Sequence, residues 1–245
     1  MSITIREQIS NEGLINYIDA AYPASIVSGS LVWKDMIRKN ADTSLINGAS
    51  YTSSSYFGGV TFDGVNDYIS IPYRSLTTEP FAVEIWMNHV TSSVYLPGIL
   101  SCGNYLGSGA YGSPGWCIGY WTSNGTRITG AIGDNTSLNR YVNFLDSTIV
   151  APFNKPMHIF LHRNTNSQTL SMYINGTKTV NSVINFSNSI TIGGANRTNI
   201  ESLTWGYSSN VMPGTYYMVK IYHDYNFSER QIIQKFTSTR ERFGV

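Results

Sequence analysis

The chain has 245 residues, of which 13% are charged and 13% aromatic, with 22 glycines and a net charge of +1. That length suits one large β-domain, and the aromatic, Gly- and Asn/Ser/Thr-rich balance is that of strands and turns, which excludes a disordered chain. Lys and Arg are scattered without a basic run, so the chain lacks the electrostatic footprint of a protein that binds nucleic acid or an anionic membrane.

No apolar stretch approaches the roughly 20 residues needed to span a bilayer. The start MSITIREQIS has neither a basic region nor a hydrophobic one, and the expectation is synthesis in a cytoplasm. The N-x-S/T sequons at Asn124, Asn135, Asn175, Asn185, Asn196 and Asn226 then read as by-products of a turn-rich composition. Cys102 and Cys117 could face each other across adjacent strands, but a reducing compartment favours two free thiols. With four dispersed histidines they make no zinc site of the usual spacing.

In chain order, residues 1–12 read as an N-terminal arm and residues 13–245 as a single domain. LINYIDAAYP begins the strands and ends at Pro23. In GGVTFDGVNDYISIP, Val60 and Phe62 lead into an Asp63-Gly64 turn, followed by Tyr68, Ile69 and Ile71. FAVEIWMNHV alternates, with Phe81, Val83, Ile85 and Met87 on one face and Ala82, Glu84, Trp86 and Asn88 on the other, so one face is expected to be core. CGNYLGSGAYGSP, from Cys102 to Pro114, reads as a long loop between sheet segments.

WCIGYWT, HIFLHRN and QTLSMYINGTKTV resume the strands, and Asn175-Gly176 is a strong hairpin signal. NSITIGGA and TYYMVKIYHD complete the set. A single helix is expected over ERQIIQKFTSTRERF, with Ser228 as N-cap, Gln231 closing a capping box and Phe227 stapled against Ile232. Ile232, Phe236 and Phe243 line its apolar side, and it is expected to seal an edge or an end of the core.

Five segments in order, GGVTFDGVNDYISIP, FAVEIWMN, HIFLHRNTNSQTLSMYINGTK, ITIGGANR and GTYYMVKIYHDYNFSERQIIQKFTSTRERFG, give the chain from about residue 13 onward a resemblance to the concanavalin A-like lectin/glucanase superfamily in its laminin G-like form. The resemblance implies an all-β fold, a two-sheet antiparallel jelly-roll sandwich with one short C-terminal helix. The ending looks most like variants found in structural proteins of tailed bacteriophages.

The glucanase branch carries its carboxylates in an E-x-D-x-x-E pattern, whereas VEIWMNH has Trp86 and Asn88 where further carboxylates belong, so no glycosidase pair is present there. No G-x-S-x-G elbow or cysteine nucleophile motif occurs. His158 and His162 share a strand face and read as a polar sheet surface rather than metal ligands. Lectin-like relatives bind calcium, and Asp63, Asn66 and Asp67 form the densest oxygen cluster. Side-chain to backbone bonds in turns explain the same residues without a metal, and that reading is preferred.

Metal-free sugar binding would use aromatic faces, with Tyr105, Tyr111, Trp116, Trp205 and Tyr207 as candidates; core or interface packing is the alternative. The leading expectation is a non-enzymatic virion structural protein, a capsid decoration, fibre or tail component that assembles with other virion proteins and with copies of itself. The alternative is a glycan-binding module that attaches to a cell surface.

Overall fold

Burial of FAVEIWMNH organises the fold. The computed structural model describes residues 11–37, 42–53, 56–72, 79–90, 98–103, 115–120, 128–133, 141–143, 152–183, 197–200 and 213–245. Their strands are β1 (Leu14–Asp19), β2 (Val32–Trp33), β3 (Thr43–Ile46), β4 (Ser50–Thr52), β5 (Gly59–Phe62), β6 (Tyr68–Pro72), β7 (Phe81–His89) and β8 (Gly98–Gly103). They continue with β9 (Gly115–Tyr120), β10 (Ile128–Gly133), β11 (Tyr141–Asn143), β12 (Met157–Asn164), β13 (Thr169–Ile174), β14 (Thr177–Val183), β15 (Arg197–Ile200) and β16 (Gly214–His223), and the chain ends in α1 (Glu229–Phe243). The expected arm lies, up to residue 10, outside the described residues.

Two sheets form. The first runs β14-β13-β12-β7-β16-β5-β4, with β1 also paired to β16; the second runs β11-β10-β9-β8-β15-β6-β3-β2. Every recorded pairing, such as Ile159↔Ile85 and Val219↔Ile85 around the centre of β7, is antiparallel. One buried cluster joins Phe81, Val83, Ile85, Met87, Ile159, Leu161 and Val219 of the first sheet to Trp33, Ile69, Leu100, Trp116 and Ile118 of the second. The expected all-β antiparallel sandwich with one C-terminal helix is therefore what the chain forms.

The Asp63-Gly64 turn does not close a hairpin. It carries the chain from β5 in the first sheet to β6 in the second, as a sandwich with long-range strand order requires. Asn175-Gly176 does close one: φ of 49° and 73° place both residues in the left-handed region that matches the twist of β13 and β14. The cysteines lie on the adjacent strands β8 and β9 but are not register partners, since Cys102 pairs with Trp116 and Cys117 with Ser101.

The helix begins as its sequence requires. The Ser228 hydroxyl accepts from the Gln231 N–H at 3.3 Å, and the Gln231 side chain accepts from the Ser228 N–H at 2.8 Å. Gly244, at φ 67°, ends the helix with its N–H directed at the Arg240 and Glu241 carbonyls. Its position differs from the expectation. The helix covers the second face of the first sheet rather than an edge, because that face presents Trp86, Phe160 and Tyr222 to be buried. Trp86 stacks on Phe243 with ring centroids 4.0 Å apart and on Phe236 at 5.9 Å, and its Nε1 donates to the Thr239 hydroxyl at 2.9 Å. Both faces of β7 are consequently buried, where the alternation led us to expect one.

Candidate functional site

The aromatic candidates divide. Tyr105, Tyr111, Trp205 and Tyr207 lie outside the described residues. Trp116 is only 1% exposed and stacks on Phe81, ring centroids 5.7 Å apart, inside the sandwich. Its ring faces are occupied by protein, which corrects the expectation that it stacks on a sugar; the inward side of β9 claims it as a core residue.

Asp63, Asn66 and Asp67 form a hydrogen-bonded turn. Asp63 Oδ1 accepts from the Val65 N–H at 2.7 Å, Asp67 Oδ2 accepts from the Asp63 N–H at 3.0 Å, and the Asn66 carbonyl accepts from Asn47 Nδ2 at 2.9 Å. Asp67 Oδ1 is buried without a partner, and burial raises the pKa of this carboxyl. No group of three or more His, Cys, Asp or Glu placed to hold a metal occurs among the described residues. Of the sequons, Asn175 and Asn226 are described, and both side chains are engaged: Asn175 Oδ1 accepts from the His158 N–H at 2.9 Å and Asn226 Oδ1 from the Thr165 N–H at 3.1 Å.

A buried polar layer that sequence reasoning missed lies between the first sheet and α1. Glu84, 0% exposed, accepts from the Tyr222 hydroxyl at 2.8 Å, with Lys220 Nζ 3.7 Å away. Lys235 of α1 donates to the same Tyr222 oxygen at 3.0 Å. His158 Nε2 approaches Glu84 Oε1 at 3.5 Å without hydrogen-bond geometry. Burial by itself would raise the Glu84 pKa; Lys220, His158 and Lys235 outweigh it and hold the carboxyl well below the usual range. Burial lowers Lys235 to about 8. Glu84, Tyr222, His158 and Lys235 are all buried, so the arrangement locks the helix to the sheet and leaves the carboxylate out of a substrate's reach.

His158 and His162 do share a face, as their spacing indicates, but the face is covered. His162 Nε2 accepts from the Phe227 N–H at 3.2 Å, just ahead of the helix cap. Burial, then Lys178, lowers its pKa to about 4.

One corner of the surface is built differently. Tyr56, Phe57 and Gly58 have φ of 63°, 67° and 113°. Left-handed backbone in two consecutive bulky residues costs on the order of 1–3 kcal/mol each and persists only where the surroundings enforce it. Here Arg242 Nε donates to the Tyr56 carbonyl at 3.2 Å while Arg242 Nη1 pairs with Asp19 at 2.8 Å. The Tyr56 ring packs edge-on against Tyr217 at 5.4 Å and against Phe243 at 5.9 Å. A Cβ on Gly58 would sit 2.7 Å from the Ala20 carbonyl oxygen and 2.8 Å from the Tyr51 hydroxyl, so no other residue fits. The result is outward display of Phe57, which is 72% exposed. The signal in the sequence is the pair Tyr56-Phe57 set before two glycines, which aromatic-counting in the Gly-rich loops passes over.

No protein-family model and no curated protein sequence matches the chain. Solved structures do. The binding domain of Paraclostridial Mosquitocidal Protein 1 matches with a TM-score of 0.70 and 15% identity over 92% of this chain and 52% of that one. The ligand binding domain of botulinum neurotoxin serotype D, in complex with N-acetylneuraminic acid, matches with a TM-score of 0.67 and 14% identity over 93% and 51%. Domain 4 of AbnA, a GH43 extracellular arabinanase from Geobacillus stearothermophilus, in complex with arabinotriose, matches with a TM-score of 0.63 and 13% identity over 90% and 97%. The chain thus spans about half the length of the toxin domains and nearly all of the arabinanase domain, and at these identities the likeness establishes the β-sandwich fold.

Proposed function

We propose that this chain is a non-catalytic, lectin-like module that binds carbohydrate at a cell or polymer surface. The observation that carries the reading is the match to a complete arabinanase domain holding arabinotriose, covering 97% of that domain. The toxin domain bound to N-acetylneuraminic acid points the same way. The sealed Glu84 agrees with a binding role, since a glycosidase acid has to reach the scissile oxygen and this carboxylate is committed to Tyr222 and Lys220 beneath the helix.

The test is an array of immobilised neutral and sialylated oligosaccharides, followed by calorimetric titration and a reducing-end assay. Retention of at least one class without release of reducing ends is expected; no retention on any class refutes the reading. The virion-assembly role takes second place. It is favoured by the resemblance of the ending IYHDYNFSERQIIQKFTSTRERFG to phage structural proteins, and immunogold labelling of intact particles tests it.

A further inference from the structure

We propose that the corner where Phe57 is displayed next to Gly58 and the Tyr51 hydroxyl is the sugar-contacting subsite, with the Phe57 ring as the platform for the C–H face of a sugar ring. The inference rests on the carbohydrate-binding reading and assigns that reading a place.

Three observations carry it. The first is the cost accepted to display one ring: Phe57 buries little of itself, yet the backbone beneath it is held left-handed at two successive non-glycine residues. Strain of this kind concentrates at sites where a conformation is preset for use. The second is rigidity. Tyr56 is pinned by Arg242 and by Tyr217 and Phe243, and Gly58 is wedged against Ala20 and Tyr51. A platform fixed in advance loses little conformational freedom when a ligand arrives.

The third is chemical. The face of an aromatic ring carries negative charge density that attracts the polarised C–H groups of a sugar, and ring hydroxyls of the sugar then need partners at the rim. The Tyr51 hydroxyl lies beside the Gly58 backbone and makes no hydrogen bond with the described residues. Arg242 is closed on Asp19 at 2.8 Å, so stacking and hydroxyl contacts rather than an ion pair do the recognising. A single exposed ring with one phenol hydroxyl beside the next residue fits a sugar better than it fits the broad apolar patch of a protein interface.

The experiment uses the full chain and its variants Phe57→Ala, Phe57→Gly, Phe57→Trp and Tyr51→Phe, with lactose, sialyllactose and arabinotriose as probes in titration, and thermal unfolding in parallel. For each probe the wild type retains, Phe57→Ala is expected to weaken binding by about tenfold or more, Tyr51→Phe by less, and Phe57→Trp to preserve it. Phe57→Gly separates function from stability: glycine relieves the left-handed strain, so the unfolding temperature rises while binding is lost. If Phe57→Ala binds a retained probe as tightly as the wild type, the subsite is refuted and the lectin reading stands. If Phe57→Gly lowers the unfolding temperature, the strain argument fails. A wild type that retains none of the three probes overturns the subsite together with the reading beneath it.

Discussion

Replacing His162 with Gln makes the acid sensitivity of the fold a direct readout of one buried ring. His162 is 2% exposed and its Nε2 accepts the Phe227 N–H, a role only the neutral imidazole can fill. Burial and Lys178 lower its pKa from 6.5 to about 4. Between those values the unfolded chain binds the proton and the folded chain does not, so stability falls as the pH drops. The full difference is about 3 kcal/mol at 1.36 kcal/mol per unit, and most of it has gone by pH 4.5. Urea unfolding of the wild type and His162→Gln at pH 7.5 and pH 4.5 isolates the contribution, because every other carboxylate and histidine titrates in both proteins. Gln keeps a carbonyl to accept the Phe227 N–H and carries no titrating proton. The wild type is expected to lose about 2–3 kcal/mol more than the variant; parallel losses would falsify the assignment of His162 as the neutral, buried acceptor.

Three further substitutions probe the core and the helix interface. Glu84→Gln leaves Lys220 and Lys235 facing a buried neutral amide and is expected to cost about 3–5 kcal/mol in urea unfolding; a loss below about 1 kcal/mol would mean that the lysines find water when the carboxylate is gone. Trp116→Ala is expected to destabilise the sandwich by about 3–5 kcal/mol, with any loss of sugar binding proportional to unfolding rather than selective. Gly176→Ala places a Cβ 2.5 Å from the Phe236 ring at φ 73°, and a loss of about 1–3 kcal/mol in thermal unfolding is expected; an unchanged melting temperature would show that the helix yields at that contact.

Much of the architecture was legible because its causes are local. Alternation in FAVEIWMNHV needs only a period of two, the Asn175-Gly176 turn needs two residues that tolerate positive φ, and the Ser228–Gln231 box needs side chains three residues apart. Each appears where the pattern placed it. The candidate site was far less legible. Trp116 reads as an aromatic beside a glycine-rich loop, and whether it points into the sandwich or out depends on β9 pairing with β8 and β10 and on Phe81 of the other sheet. Phe57 was overlooked because its exposure comes from contacts with Ala20, Tyr51, Tyr217 and Arg242, which are remote in sequence except for Tyr51.

By itself the sequence determined the fold class, the helix with both of its ends, the late hairpin and the lack of a glucanase carboxylate pattern, since all of these depend on residues a few positions apart. Only the tertiary structure decided which face of the first sheet the helix covers. Glu84 therefore became a buried anchor, His162 a neutral acceptor, Trp116 a core residue and Phe57 an outward platform. The physical reason is that burial and charge state belong to a pair of surfaces, and the second surface, whether α1 over β7 or Arg242 behind Tyr56, lies up to 186 residues away along the chain.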